Sequence, residues 1–411
     1  MESSASIEIA RHTLLVCGLI LAIGTAAGFL AAKLKLPDVA VLLLAGMLIG
    51  PQALGLIEIK AQSALYQIIL LFGASYILFD GGASLRFAVL RQVWITIVVI
   101  ATVGVLITAA ITAIAASWLL GMPLMIAALL GATLAATDPA TLMPIFRQIR
   151  VRDRVAQTVM SESAFNDAIG AIATFGVLTV AMGTGELSLL SSALELVKQA
   201  TIGIVAGAVL GYLAALLIAH ERWNFLAEYA PPVTLMAVVG AYFTADGLQA
   251  SGLMAVFVFG IVLGNKDAFG FTMQAGEQER LDHFVTTTAF VMRVFIFLLL
   301  GAQVDFALMR QYAAFGVAVA AVLMLIARPA TVFLCCLPDR RARWSFNEML
   351  FMCWTRETGV IPAALAGLLV ALKAPGAQMI MSITFTVILA TIIIQAPTTR
   401  WLGARLGLLE N

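Results

Sequence analysis

Long hydrophobic segments separated by short polar ones run through the whole chain. Cutting the sequence at charged residues and at Pro/Gly clusters gives thirteen apolar segments, most of them near the roughly 20 residues that cross a bilayer as a helix. The pattern therefore predicts an all-α polytopic membrane protein with about 13 transmembrane helices. The predicted spans are residues 12–32, 38–54, 63–83, 93–120, 123–146, 155–182, 192–219, 229–248, 250–264, 284–303, 311–337, 345–372 and 377–397.

Composition agrees with this pattern and excludes other classes. Hydrophobic residues make up 62% of the chain, charged residues 11%, and the mean hydropathy is +1.02, whereas a soluble domain has roughly 45–50% and about 25%. A formal net charge of +1 argues against nucleic acid as a partner, because nucleic-acid binding needs a basic face. The four cysteines lie in apolar segments and are interpreted as small core residues.

Basic residues are distributed unequally between alternate loops. Sixteen Lys and Arg residues lie on one side of the predicted spans and five on the other, with three inside spans. Because cytoplasmic loops carry the excess of Lys and Arg, the amino terminus is predicted outside and the carboxyl terminus in the cytoplasm. The expected location is the inner or plasma membrane, with the lipid bilayer as a partner.

Polar side chains crowd one side of the sixth span. Glu162, Ser163, Asn166 and Asp167 fall at i, i+1, i+4 and i+5 of an apolar segment, as two pairs about one helical turn apart, and the fifth span adds Asp138. Ionisable groups inside a membrane span are costly and commonly belong to ion or proton pathways. The fifth and sixth spans are therefore predicted to build an ion site together.

Two spans carry signals that interrupt a helix. Thr137-Asp138-Pro139 lies inside the fifth span, and Arg356-Glu357-Thr358-Gly359, followed by Pro362, lies inside the twelfth. Proline removes a backbone donor and clashes with the preceding turn, so each helix should break there. Since the two spans are seven apart, they indicate two inverted six-helix repeats whose broken helices 5 and 12 cross near the midplane.

Buried basic residues in the later spans need partners. An unpaired guanidinium in the bilayer costs at least about 3 kcal/mol on insertion scales, and both Arg328 and Arg356 fall within spans. Glu162 is the predicted partner of Arg328, which makes that pair structural and leaves Asp167 for ions. Glu357 is expected to help balance Arg356.

Two less central expectations concern the tenth span and the loop before it. Arg293 is expected to reach the membrane surface or to pair with Asp282 or Asp305. The polar stretch from Asn265 to His283 carries charges of both signs and is interpreted as a solvated connector.

These motifs together resemble one transporter family. Thr137-Asp138-Pro139, Glu162-Ser163-x-x-Asn166-Asp167 and the buried arginines are similar to the NhaP-type monovalent cation:proton antiporters, relatives of the eukaryotic sodium/proton exchangers. The resemblance covers nearly the whole chain and includes Phe79-Asp80-Gly81-Gly82 and Leu299-Leu300-Gly301-Ala302.

The resemblance implies a homodimer that works by alternating access. The ion-binding core would comprise residues 93–182 and 311–397, and the dimerisation part residues 12–83 and 192–303. Transported Na+ would be held by Asp167, Asp138, Ser163 and the Thr137 carbonyl. Asn166 would link the two segments, and Asp80 approaches the site in some members. Asn at position 166, in place of a second Asp, is associated in the family with electroneutral 1:1 exchange.

The sequence departs from the family pattern at two positions. In Arg356-Glu357-Thr358-Gly359 two residues, one of them acidic, separate the arginine from the glycine, whereas in the family pattern glycine directly follows arginine. Asp80 is shorter than the glutamate more usual at its position, which shortens its reach.

The predicted function is secondary active exchange of Na+ (or Li+) for H+, with both ions competing for Asp167. Such a protein is not an enzyme and needs no cofactor beyond the transported ions. A K+/H+ antiporter of the same fold is the nearest alternative. An intramembrane aspartyl protease is more distant, since two neighbouring acids can share a proton, and no filter-like loop supports a channel.

Overall fold

The computed structural model describes residues 2–34, 36–59, 63–137, 142, 145–146, 149–183, 189–221 and 223–410. Apart from one isolated bridge, regular structure in these ranges is helical, which confirms the predicted fold class. The helices are α1 Glu2–Leu34, α2 Asp38–Ile49, α3 Ala64–Ala83, α4 Phe87–Leu120, α5 Leu124–Ala135, α6 Asp153–Ala181, α7 Leu189–Ala219, α8 Ala230–Gly247, α9 Gly252–Gly264, α10 Ala275–Ala302, α11 Phe306–Val322, α12 Arg328–Cys336, α13 Phe346–Trp354, α14 Val360–Ala371, α15 Ala377–Ala390 and α16 Ala396–Arg405.

The helices match the predicted spans in number and order. Helices α1 to α10 correspond to the first ten spans, and the last three spans are each built from two helices. Across the described ranges, eight helical stretches are long and apolar enough to cross a membrane. The four shorter apolar helices are α2, α5, α9 and α14, and two of these, α5 and α14, are halves of interrupted spans.

Both predicted interruptions are present. Helix α5 ends at Ala135 and the backbone of Ala136 is extended, while five residues without helical structure separate α13 from α14. At each interruption a backbone N–H reaches a side chain of the following span. Thr137 N donates to Asn166 Oδ1 at 3.1 Å, and Thr358 N donates to Thr391 Oγ1 at 3.2 Å. The two halves of the chain thus repeat one local arrangement.

Prolines inside the eleventh and thirteenth spans are accommodated by wide helical turns. The segments Leu323–Ala327 and Thr391–Gln395 are π-helical and lie just before Pro329 and Pro397. A proline lacks the donor for the preceding turn and crowds its carbonyl, and a π-turn relieves that clash without ending the helix. Both spans therefore remain continuous.

Glycines let α3 and α9 approach at backbone distance. A Cβ atom on Gly260 would lie 2.4 Å from the carbonyl oxygen of Phe79, and one on Gly82 would lie 2.3 Å from that of Phe257. Small residues allow such close helix packing in membranes, where dispersion contacts replace the hydrophobic effect. Helices α3 and α9 consequently form a tightly packed pair.

Arg293 has a different partner from those expected. Its Nε lies 3.7 Å from Asp38 Oδ2, at the start of α2. The expected partners are engaged elsewhere, because Asp305 caps α11 through the amides of Ala307 and Leu308 and Asp282 accepts a hydrogen bond from Gln278. The sequence could not show that α2 and α10 are neighbours.

A hydrogen-bonded carboxylate joins α4 to the loop between α12 and α13. Asp339 Oδ2 accepts from Thr96 Oγ1 at 2.6 Å, and Oδ1 accepts from the amides of Arg341 and Ala342 at 3.0 and 3.1 Å. Burial alone raises the pKa of Asp339, but these hydrogen bonds outweigh burial and lower its pKa below the ordinary value. The carboxylate therefore stabilises the fold at neutral pH.

We expect acid to remove this stabilisation. Since the pKa is lower in the folded state, the contribution is present above the ordinary carboxyl pKa and is lost as the pH falls below about 4. Replacing Asp339 with Asn should cost about 1–3 kcal/mol at pH 7 and flatten the acid dependence. The melting temperature of the detergent-solubilised protein between pH 7 and pH 3.5 measures both effects. Identical curves for the two proteins would contradict the assignment.

Candidate ion-binding site

A cavity of about 710 Å³ reaches Asp167 from the end of the molecule where α6 finishes. It follows α6 from Asp167 to Thr179, about 18 Å at the usual helical rise. Glu195 of α7 and Asp246 of α8 line it nearer the surface. Asp167 is only 1% exposed, so its carboxylate lies at the deep end of a passage from that surface.

The unwound end of α5 packs against the polar face of α6. Thr137 Oγ1 lies 2.7 Å from Ser163 Oγ, and Asn166 Nδ2 donates to Thr137 Oγ1 at 2.8 Å. Asn166 Oδ1 also accepts a hydrogen bond from Thr137 N. The Asn166 carboxamide therefore both donates to and accepts from Thr137, in the unwound segment after α5. Ser163, Asn166 and Thr137 are all buried, and Asn166 directly precedes Asp167 on α6.

The structure joins three of the predicted site residues, Thr137, Ser163 and Asn166, by hydrogen bonds, and Asp167 follows Asn166 on α6 and lines the cavity. Asp138 and the residues immediately after it lie outside the described residues. Its predicted part in the site therefore stays a prediction. Thr137, its direct neighbour in the chain, fixes where the unwound segment leaves α5.

Glu162 forms the predicted pair with Arg328. The two guanidinium Nη atoms bind the two carboxylate oxygens, with Arg328 Nη2 to Glu162 Oε2 at 2.8 Å. Arg328 Nε donates to the carbonyl oxygen of Met352 in α13 at 2.9 Å. This bidentate pair is fully buried and joins α6, α12 and α13, while Asp167, more than a turn away on α6, lines the cavity.

Arg356 binds backbone carbonyls at the end of α5. Its Nη2 donates to the oxygens of Leu134 and Ala135, each at 2.9 Å. The last carbonyls of a helix lack partners and carry the negative end of the helix dipole, so a guanidinium there is stabilising. The interruption of one repeat thereby caps the interrupted helix of the other. The expected contribution of Glu357 to balancing the charge of Arg356 stays a prediction.

Asp80 lines a second cavity, of about 330 Å³, at the opposite end of the molecule. Lys266, Gln278 and Asp282 line this cavity as well. Most residues of the predicted solvated connector, 265–283, are exposed, as expected. Lys266 is buried, however, and residues 275–283 form the first turns of α10 rather than a loop.

A buried carboxylate at the end of a cavity, beside two interrupted helices that cross, defines a membrane transporter of the broken-helix type. The sodium/hydrogen exchanger transmembrane family model matches residues 18–405. The chain therefore belongs to the sodium/hydrogen exchanger family, which confirms the resemblance drawn from its motifs.

Individual relatives agree with this assignment. The Na+/H+ antiporter 1 of Methanocaldococcus jannaschii is 33% identical over 85% of this chain and 81% of the relative. The K+/H+ antiporter NhaP of Alkalimonas amylolytica is 29% identical over 96% of this chain and 67% of the relative. The structure of the sodium proton antiporter MjNhaP1 from M. jannaschii superposes with a TM-score of 0.80 at 29% identity, covering 96% of this chain and 99% of that one.

The family assignment decides between the classes considered from the sequence. The family is one of transporters, and the intramembrane aspartyl protease alternative receives no support from these relatives. The protein is a multi-pass membrane protein, as its helices and its relatives both indicate.

Proposed function

We propose that this protein exchanges Na+ (or Li+) for H+ at Asp167, one for one. The observation that carries the proposal is the position of Asp167, buried at the deep end of the 710 Å³ cavity and adjacent to the Thr137, Ser163 and Asn166 network. Oxygen ligands suit a hard cation such as Na+. Carboxylate, hydroxyl and backbone carbonyl oxygens of this region supply them, with Asp138 as a further candidate ligand.

Competition for one carboxylate explains why the fluxes are coupled. A carboxylate held in a poorly hydrated site is stabilised either by a proton or by a cation. If the core moves only when this charge is neutralised, each cycle carries one ion in each direction. Asn166 is uncharged at every pH of interest, and Glu162 is held by Arg328, so neither adds a second exchangeable charge.

The same proposal covers assembly and orientation. The basic loops lie at the end where α6 begins, so that end is assigned to the cytoplasm and the cavity at Asp167 opens outward. The chain is assigned to the inner or plasma membrane as a homodimer, with its core formed by 93–182 and 311–397. One buried apolar cluster draws on α4, α5, α6, α11, α14 and α15 of the core, and another on α3, α7, α8, α9 and α10 of the dimerisation part. A larger cluster packs the two parts against each other.

Ion choice and stoichiometry can be measured in one experiment. In proteoliposomes with an imposed pH gradient, Na+ and Li+ should dissipate the gradient at lower concentrations than K+. A membrane potential of either sign should leave the initial rate unchanged, since no net charge moves. A rate that follows the potential would contradict one-for-one exchange and leave cation/proton coupling itself intact.

Potassium is the second candidate cation. Its support is the K+/H+ antiporter relative that aligns with 96% of this chain. Because the site residues are compatible with either ion, the half-saturating concentrations of K+ and Na+ in the same proteoliposomes decide between them.

A further inference from the structure

The loop between α12 and α13 has a backbone fixed by its own hydrogen bonds. Asp339 is buried, and its Oδ1 accepts from the amides of Arg341 and Ala342. The amides of Arg340 and Arg343 donate to carbonyl oxygens of the same loop, at 2.9 and 3.3 Å. Because successive amides are all bonded within the loop, its outward side chains project from a rigid frame.

Three arginines of this loop are exposed and unpaired. Arg340, Arg341 and Arg343 are exposed, and their guanidinium groups form neither an ion pair nor a hydrogen bond with the parts of the chain that the structure describes. The acidic residues nearest to them in the sequence, Asp339 and Glu348, are both buried. The loop therefore exposes three positive charges and keeps its carboxylate inside.

One of these arginines occupies a backbone conformation that favours glycine. The φ angle of Arg343 is +47°, in the left-handed region that glycine enters freely and other residues enter at a cost. A strained residue that persists points to a use for its side chain. Since the guanidinium of Arg343 binds nothing within the described chain, that use is sought outside it.

An exposed apolar surface adjoins the three charges. Leu337 precedes the loop and Phe346 follows it, and they are 64% and 62% exposed. The ring of Phe346 packs on that of Phe333, with centroids 5.9 Å apart, and Phe333 lies one helical turn before Leu337. Because α12 and α13 belong to membrane spans, this surface borders the acyl chains of the bilayer and the arginines stand at its polar edge.

We propose that the loop between α12 and α13 binds an anionic phospholipid. The phosphate lies on the guanidinium groups of Arg340, Arg341 and Arg343, and an acyl chain covers Leu337 and Phe346. Guanidinium groups bind phosphate oxygens in bidentate pairs, and basic clusters beside a membrane span attract anionic lipids. The proposal concerns binding alone and does not depend on which ions the protein exchanges.

The bound lipid holds one end of the helix that carries Asp167. Arg154, in the first turn of α6, donates from Nη2 to the carbonyl oxygen of Ala342 at 2.6 Å, and its guanidinium lies 4.3 Å from the ring centroid of Trp344. Trp344 Nε1 donates to Thr96 Oγ1 of α4 at 2.8 Å. The loop thus joins α4, α6, α12 and α13, so a lipid on the loop stabilises this end of the molecule.

The melting temperature of the delipidated protein in detergent tests the proposal. A ligand that binds only the folded protein raises this temperature, so phosphatidylglycerol should raise it at concentrations where phosphatidylcholine with the same acyl chains does not. Arg340→Gln combined with Arg343→Gln should weaken the response to phosphatidylglycerol at least about tenfold, since each basic residue near an anionic surface strengthens the attraction about fivefold. Without added lipid this double variant should melt like the wild type.

Lys33→Gln combined with Arg280→Gln is the matched control. Both are exposed basic residues on the predicted cytoplasmic side, and they lie on α1 and α10, which the loop does not join. The control therefore removes the same charge and should respond to phosphatidylglycerol like the wild type. An equal loss in the control, or an unchanged response in the Arg340 and Arg343 double variant, would overturn the inference.

Glycerol 3-phosphate separates a lipid site from a site for free anions. It carries a phosphate group but no acyl chain to cover Leu337 and Phe346, so it should not stabilise the wild type at the effective concentrations of phosphatidylglycerol. Equal stabilisation by both compounds would overturn the assignment to a lipid. Native mass spectrometry gives a second measurement, in which the wild type should retain phosphatidylglycerol at detergent concentrations that strip it from the Arg340 and Arg343 double variant.

Discussion

Asp167→Asn is expected to reduce cation-dependent proton flux to the level of protein-free liposomes. The carboxamide has nearly the shape of the carboxylate, so the helix packing around it should survive. It can neither release a proton nor balance the charge of a cation, and both halves of the exchange are therefore lost. Proton flux in proteoliposomes, with size-exclusion chromatography as the test of folding, measures the result.

Asp246→Asn provides the matched control for this experiment. Asp246 lines the same cavity but is exposed at its outer part, so its loss should change exchange by no more than a few-fold. Robust exchange by a correctly folded Asp167→Asn protein would refute the assignment of Asp167. Equal loss in both variants would mean that the charge of the cavity as a whole, and not one carboxylate, supports transport.

Glu162→Ala is expected to destabilise the protein strongly while leaving cation affinity nearly unchanged. Arg328 is 1% exposed, and without Glu162 its guanidinium would be buried with no opposite charge beside it. Breaking a buried ion pair in this way costs about 3–5 kcal/mol. The measurements are the melting temperature in detergent and the half-saturating cation concentration of the folded fraction.

A double variant separates the pair from its surroundings. Glu162→Gln combined with Arg328→Met removes both charges, so it should recover much of the stability lost in Glu162→Ala. A shift in cation affinity without a lower melting temperature in Glu162→Ala would place Glu162 among the ion ligands instead.

Much of the fold follows from the sequence because a chain that crosses a bilayer can adopt only a few backbone structures. Apolar segment length and the distribution of basic residues predict the number and order of the helices. The interruption at Thr137 follows from Pro139, and the one at Thr358 from Gly359 and Pro362. The π-helical turns before Pro329 and Pro397 could not be predicted, since a proline inside a span indicates a distortion without specifying its type.

At the site, the sequence predicts which side chains pair with the buried arginines, but it does not predict which backbone groups do. The cost of burying two opposite charges leads directly to Glu162 and Arg328. The partners of Arg356 are carbonyl oxygens, which every residue carries, so no sequence pattern marks Leu134 and Ala135. The burial of Lys266 was likewise not predicted. Its partner Gln278 lies at the start of α10, and the sequence did not predict that the helix begins there.

The bonds from Arg356 to the end of α5 have a mechanical consequence. Arg356, in the interruption between α13 and α14, binds the carboxyl end of α5 in the other half of the chain. Neither α5 nor α14 can therefore tilt alone without breaking two hydrogen bonds to a buried charge. The two interrupted helices should therefore move together as a rigid unit when access to the site switches from one side of the membrane to the other. The motion should be concentrated at the interface between this unit and the glycine-packed pair α3 and α9.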